Sequence, residues 1–598
     1  MLRYIAFAWN THLKDSCEAA RVMRDTADQT ASLSCVLNES GFAVYASGFP
    51  SGSIRCYRLQ ERAGVVLGAV FKKSQVPTNG ALDVIFDSVG SERVVKSRGR
   101  DLIESYWGRY VAFVRDPSSG ICWVVQDPSA GHSVYRSTIR GVNVYYAELA
   151  DYTNITGERP TVDWAYIASH VVVPIIQSSA TALVGVTELQ GGQCDEIVDG
   201  CPSTHEYWQP ATFAKSPIED FCEASLLLRR SVMQCVHTWA SCYPNILHLL
   251  SGGVDSSIVL ACLKSAPCEP RVVCVTYFTG GPGVDERAFA HLAADDAHCE
   301  CIEWKMKADG SLDTFRQVAV GPRPSFYVSC LFESELADLA RGLDASAIMT
   351  GNLGDGLFGA IADVRSAIDF VHYHGFGKGF IRAVTATAEV AQIAVLRVFA
   401  EALKGLWGTG WSRDPSMGFP TDQRLVSHSV VTEARERPDR YTHSWVVGAR
   451  GLPPGKALHI GLMAQRVAVR TPMARTNDPE YGFPLASQLN FEACAAMPTY
   501  LFAANGRTRA IARSAFSEDV PPKILARRDK GNPSSWVQEF IRNNLRLARE
   551  CLLDGQLVAR GILDRRKIEE AVSGGATELI PSEVLYHVGT EVWLDLVR

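Results

Sequence analysis

The stretch that most constrains this chain is residues 246–257. Ile246-Leu247-His248-Leu249-Leu250 is apolar at four of five positions and reads as a buried strand. Ser251-Gly252-Gly253-Val254-Asp255-Ser256-Ser257 follows, and Ile258, Val259, Leu260, Ala261 and Leu263 give a helix that packs back on the strand. Strand, glycine turn and helix N-terminus in that order make an anion site. Glycine lets backbone approach phosphate, and free N–H groups and the helix dipole face the negative charge. Asp255 adds a carboxylate placed to hold Mg2+ against phosphates. Ser251, Ser256 and Ser257 add hydroxyl donors.

A second stretch, Ala347-Ile348-Met349-Thr350-Gly351-Asn352-Leu353-Gly354-Asp355-Gly356-Leu357-Phe358-Gly359, again runs from strand into a Gly-rich loop with one acid. Asp355 is the candidate second carboxylate, paired with Asp255 on a hard cation. The pattern around both stretches alternates. Strands are expected at 246–250, 271–278, 301–306 and 345–350, and helices at 256–265, 285–295 and 333–342. That alternation predicts an open parallel sheet with helices on both faces, binding its ligand beyond the carboxyl ends of the strands. Residues 381–407, apolar but carrying five charges, read as one long soluble helix rather than a membrane span.

Residues 1–205 look β-rich, with short runs at 42–46, 64–71, 110–115 and 121–126 and a hairpin linking the last two. Pro202, Pro210 and Pro217 among polar residues mark the junction, taken as a linker over 206–217; the second domain is 218–598. A net charge of −6 argues against a general nucleic-acid surface. The N-terminal sequence lacks the apolar core of a signal peptide, and the 17 cysteines form no CxxC pair. The expected compartment is cytoplasmic, with reduced, mostly buried thiols.

The SGGVDSS stretch resembles the PP-loop of the ATP pyrophosphatases, which cleave ATP between the α and β phosphates; no GxxxxGK[ST] Walker sequence occurs. Trp107 to Phe113, then Asp127-Pro128 and Tyr135, are similar to the glutaminase-type N-terminal domain of asparagine synthetases. That resemblance implies an αββα sandwich of the N-terminal-nucleophile class. Its active members expose a cysteine after the initiator methionine. Here Met1-Leu2-Arg3 begins the sequence and the first cysteine is Cys17, so an inactive glutaminase-like scaffold is expected.

Residues 347–359 resemble the SGEGxDExFGG motif of the same family, with Asn352 in place of its first acid and Gly356 after the aspartate. An asparagine cannot be a general base, so the acceptor site must differ. Residues 505–513, 520–525 and Arg527-Arg528-Asp529-Lys530-Gly531 resemble the C-terminal part of asparagine and β-lactam synthetases. By that likeness Lys530 stabilises the adenylation transition state. Leu249, Leu250, Thr276, Thr350 and Gly351 would line the nucleoside site, and Ser251, Gly252, Gly253, Ser256 and Ser257 would cradle pyrophosphate of ATP, with Asp255 and Asp355 on Mg2+.

His443-Ser444-Trp445, Leu452 to Lys456, Tyr481 to Gln488 and Pro498 to Leu501 look like the lasso-peptide macrolactam synthetases. That branch implies a precursor peptide as substrate, with a leader-binding protein and leader peptidase as partners. Residues 484–488 and 498–501 serve equally well as helix starts, and His443 and His459 as structural histidines. A small-molecule amide synthetase, a PP-loop tRNA-modifying enzyme and a non-catalytic binding protein on the same fold remain as alternatives.

Overall fold

The computed structural model describes residues 2–47, 53–74, 84–172, 178–279, 285–317, 320–324, 330–360, 363–407, 424–436, 442–465, 479–528, 534–573 and 581–598. Two antiparallel six-stranded sheets make the first half. One runs in the order Thr187–Glu188, Tyr135–Ile139, Val142–Tyr146, Arg3–Trp9, Phe42–Ser47, Ser34–Glu39. The other runs Cys201–Glu206, Gln193–Val198, Cys122–Gln126, Tyr106–Arg115, Gly64–Lys72, Arg55–Leu59.

Alternation along the strands sorts the side chains. Tyr4, Ala6, Phe42 and Val44 meet Val65, Leu67, Val111 and Phe113 between the sheets. Ile5 and Phe7 point the other way, onto Ala20 and Met23 of helix Lys14–Asp28. On the far side Val66, Val70, Tyr110 and Ala112 face outward from the second sheet. Helices Ser88–Lys96 and Arg100–Glu104 cover part of that face, which completes an αββα sandwich. The hairpin expected between 110 and 126 is present, with Val111 opposite Gln126 and Arg115 opposite Cys122.

The second half of the chain packs against this sandwich. Helix Phe221–Ala240 lays Trp239 edge-on to Phe71 and Trp107, at ring separations of 5.1 and 6.3 Å. The Arg109 guanidinium sits 4.7 Å over the Trp239 ring, and its Nη1 donates to Tyr481 O at 3.0 Å. Lys73 pairs with Glu492 at 2.8 Å, and Gln488 donates to Ile103 O at 3.0 Å. The two halves therefore share one hydrophobic core.

The stretch expected as a linker is part of this packing. Cys201–Glu206 is an edge strand, and Pro210–Phe213 is a short helix. Trp208 is buried edge-on against Trp445 at 5.3 Å. The prolines mark where the chain crosses between halves; the aromatic residue between them anchors the crossing.

The second half is built on a parallel sheet in the order Glu300–Lys305, Arg271–Phe278, Asn245–Leu249, Ala347–Thr350, Glu480–Gly482. Four of these strands match the sequence reading to within two residues. The fifth, Glu480–Gly482, was not expected. The long helix expected at 381–407 is two helices, Phe380–Ala391 and Val395–Trp407. Gln392 between them takes a left-handed conformation (φ 55°), and the axes bend by 116°. Among the described residues no single helix is long and apolar enough to cross a membrane. Sixteen described cysteines are free thiols, of which six are buried rather than most.

The shared core yields a direct test. Trp239 is 2% exposed and bridges the halves. Trp239→Ala is expected to cost about 3–5 kcal/mol, read as a lower urea midpoint by both far-UV and near-UV circular dichroism.

Candidate active site

The turn after strand Asn245–Leu249 closes on itself. Ser251 N donates to Ser256 Oγ at 3.3 Å, the two hydroxyl oxygens lie 3.1 Å apart, and Gly253 N donates to Ser251 Oγ at 3.3 Å. Gly253 then caps helix Val254–Lys264. Gly252 has φ +68°, and a Cβ there would lie 2.6 Å from Ala290 N of helix Arg287–Asp296. Glycine is required on both counts.

Beneath the turn, fully buried His248 places Nε2 3.0 Å from Ser256 O. Burial pushes its pKa down to about 4, so the ring is neutral and Nε2–H donates. Ser257, one residue on, is turned away. It lines a separate cavity of about 260 Å3 with Lys264, Asp296 and Asp519. A helix rotates about 100° per residue, which takes Ser257 off the face that Ser256 presents. Ser257 thus lies off the face on which Ser256 meets the turn.

The second loop meets the first at glycines. Strand Ala347–Thr350 ends with Thr350 Oγ1 accepting from Asn352 N at 3.1 Å, and a short turn, Gly354–Leu357, carries Asp355. A Cβ at Gly351 would lie 2.7 Å from Ser256 N, and one at Gly354 only 2.5 Å from Asp255 Cβ. A Cβ at Gly356 would meet Leu462 O at 2.9 Å. Gly356 thus faces helix Pro454–Met463, not the phosphate side. Asn352 is exposed at the loop mouth.

A third segment ties the two acids together. Arg509, at φ 57° just before helix Ala510–Ala515, donates from Nε to Asp255 Oδ1 at 2.7 Å and from Nη2 to Asp255 Oδ2 at 3.1 Å. The same Nη2 donates to Asp355 Oδ1. Burial disfavours the guanidinium charge, yet Asp255 and Asp355 outweigh it and raise the Arg509 pKa. Sequence reasoning gave Arg509 no role, because an arginine in a basic run carries no spacing signal of its own.

Arg527 brings the run 527–528 to the same place. Its Nη1 donates to Gly252 O at 3.2 Å, its Nη2 to Glu286 Oε1 at 2.6 Å, and its guanidinium lies 4.3 Å over Phe289. Arg513 braces it through Nη2 to Arg527 O at 3.0 Å; burial and the neighbouring Arg509 push Arg513 down to about 10. Lys530 lies outside the described residues.

The remaining candidates fall where a ligand above the sheet would meet them. Leu249, Leu250, Thr276, Thr350 and Gly351 sit at the carboxyl ends of three adjacent strands, and Leu250 N bonds Val275 O at 2.9 Å. Thr276 Oγ1 is buried with no hydrogen-bond partner among the described residues. The donor chemistry fits a divalent cation: two carboxylates, one in the first turn of helix Val254–Lys264 and one on the Gly354–Leu357 turn, converge within reach of one guanidinium. Two protein oxygens would leave the other positions of an octahedral Mg2+ to phosphate and water.

The softer C-terminal motifs serve the packing. His443 caps helix Ser444–Gly448 by accepting from Trp445 N at 3.1 Å. Tyr481 and Gly482 belong to the fifth strand, and Ser487 and Pro498 each precede a helix.

A family model described as asparagine synthase matches residues 227–595. The chain belongs to the asparagine synthase family. In general terms this synthase is therefore a ligase of the ATP-dependent, amide-forming kind. A search of curated proteins finds no match. Among solved structures the synthase is similar to a glutamine phosphoribosylpyrophosphate amidotransferase from B. subtilis complexed with ADP and GMP, at 8% identity over 45% of this chain and 66% of that one (TM-score 0.21). It is also similar to a structure described as the allosteric regulatory enzyme of purine biosynthesis, at 8% identity over 51% of this chain and 80% of that one (TM-score 0.21). Overlaps this slight carry no argument about the synthase.

Two outcomes are expected from the geometry. Gly354→Ala forces a Cβ into Asp255 and is expected to cost about 1–3 kcal/mol, with ATP affinity falling alongside, by thermal melt and calorimetry. His248 has a folded pKa of about 4, below its unfolded value. The unfolded state therefore binds the extra proton first, and the stability His248 contributes is lost as pH falls from about 6.5 toward 4. Melting temperature should drop across that window, and less steeply in His248→Gln.

Proposed function

We propose that this synthase is a lasso-peptide cyclase: it adenylates an Asp or Glu side-chain carboxylate of a precursor peptide and closes a macrolactam with the peptide's own α-amine. The observation that carries the adenylating half is the convergence of Asp255, Asp355 and Arg509 on the Ser251–Gly253 turn. The peptide half is supported by the resemblance of the C-terminal motifs to that branch and by Asn352, which cannot activate a nucleophile as a base.

A carboxylate oxygen of the peptide attacks the α-phosphorus of ATP, and the bond to the β-phosphate oxygen breaks, releasing pyrophosphate. Activation is needed because oxide is a poor leaving group and AMP a good one. The α-amine nitrogen then attacks the acyl carbon, AMP leaves, and the amine gives up a proton. Mg2+ would offset charge on the departing pyrophosphate, and Asp255 and Asp355 are the residues that would hold it. Ser251, Gly252, Gly253 and Ser256 cradle pyrophosphate, with Arg509 on Asp255 and Arg527 on Gly252 O as neighbouring cations. Thr276, Thr350, Gly351, Leu249 and Leu250 line the nucleoside. Lys530 neutralises charge growing at the α-phosphate. A leader-binding protein and a leader peptidase are the expected partners.

The test is mass spectrometry of a candidate precursor peptide incubated with the synthase and MgATP. Loss of one water with AMP formation supports the reading. Amide formation from aspartate and ammonia, with the peptide unchanged, would sink it in favour of a small-molecule synthetase. Asp255→Asn and Asp355→Asn should abolish peptide-dependent ATP–pyrophosphate exchange. Lys530→Ala should lower kcat by about 10^2 to 10^3 with little change in ATP affinity.

A further inference from the structure

Behind the turn that bears Asp355 lies a buried polar group that the chemistry above does not use. Lys456 and His459 sit one helical turn apart on helix Pro454–Met463, 1% and 3% exposed. Lys456 Nζ lies 3.1 Å from His459 Nδ1, donates to Cys494 O at 3.1 Å, and donates to Met497 O. Leu357 O can only accept, so Nε2 of His459 carries a proton, and burial keeps the ring neutral, so Nδ1 accepts from Lys456. That fixes the tautomer. The proton is on Nε2, which donates to Leu357 O at 2.9 Å. Leu357 is the last residue of the Gly354–Leu357 turn.

The group is held from its other side as well. Asp369, fully buried on helix Arg365–His374, accepts from Gly455 N at 2.8 Å and from Thr499 Oγ1 at 2.6 Å. It thereby pins the start of the helix that carries Lys456. Burial pushes Asp369 up to about 7 and Lys456 down to about 7, while their mutual attraction works against both shifts. Phe502 closes the remaining side, its ring 4.8 Å from that of His459.

Three buried ionisable side chains are costly, and a helix packs well enough without them. A polar relay ending on one carbonyl has a different use: it fixes where that carbonyl, and the turn it belongs to, sits. We propose that Lys456 and His459 are positioning residues for Asp355, a two-bond relay that pins the turn bearing this carboxylate to the body of the fold. The proposal rests on the placement of Asp355 in the nucleotide site. Asp355 itself is half-exposed with its carboxylate on Arg509, and the backbone of its four-residue turn is anchored at buried Leu357, the residue the relay reaches.

The test uses His459→Leu, Lys456→Met and His459→Gln in the full chain. Glutamine keeps both ends of the relay, since its carbonyl can accept from Lys456 and its amide can donate to Leu357 O. Two measurements are made: amide hydrogen exchange over residues 351–360 by mass spectrometry, and ATP binding by calorimetry with Mg2+ and with EDTA. The Leu and Met variants should exchange faster over that segment and bind ATP about 10- to 100-fold more weakly in Mg2+, with unchanged binding in EDTA. His459→Gln should stay near wild type in both. A folded His459→Leu with wild-type exchange and Mg2+-dependent affinity overturns the relay, as does a His459→Gln as impaired as His459→Leu. If the Leu and Met variants do not fold, His459→Gln decides alone. A wild-type chain that binds no ATP in Mg2+ overturns the nucleotide-site reading instead, and hydrogen exchange then judges the relay by itself.

Discussion

The Arg509 guanidinium between Asp255 and Asp355 is the contact on which the site depends. Two carboxylates brought this close repel, and more strongly where water is scarce. The loops that carry them touch at Gly351 and Gly354, where no side chain would fit. Steric fit alone therefore leaves an electrostatic cost, and a planar cation with several donors offsets it. The arginine comes from a segment some 250 residues beyond the first acid in sequence. The site is thus assembled from three separate segments. Any anionic ligand with its own cation must take over part of what Arg509 does for the acids.

Around this contact the fold is layered by stiffness. The Ser251–Gly253 turn is closed by its own hydroxyls and underpinned by neutral His248, so it is set before anything binds. The Asp355 turn is short, with only Asp355 itself exposed, and takes its position from neighbours. Helix Pro454–Met463 supplies one of them at Leu462, against which only a glycine fits at 356. The absence of an acid at residue 356 is then a packing requirement of this chain, whereas Asn352 is exposed at the loop mouth.

Much of this was legible in the sequence because it rests on local signals. Buried parallel strands read as apolar runs that end in glycine, so four of five were found within two residues. Asp255 and Asp355, which the structure brings together on Arg509, stood out because each follows such a strand in a glycine-rich stretch. Glu480–Gly482 escaped because three residues with a glutamate and a glycine make no apolar run; pairing with Ala347–Met349 makes it a strand. The break at Gln392 escaped because no glycine or proline marks it. Arg509 escaped because charge–charge pairing across the fold leaves no periodicity.

The fifth strand has one more consequence. It is the open edge of the parallel sheet, and an open edge invites a strand from another molecule. The opposite edge, Glu300–Lys305, carries Glu300, Glu303 and Lys305 as its own deterrent. Glu480–Gly482 is guarded from outside: Arg109 takes the Tyr481 carbonyl, and Ser53 and Tyr243 hold the Glu480 carboxylate. Arg109 and Ser53 belong to the N-terminal sandwich. That domain therefore covers the strand edge of the second half, a duty independent of whether its own interior performs any reaction.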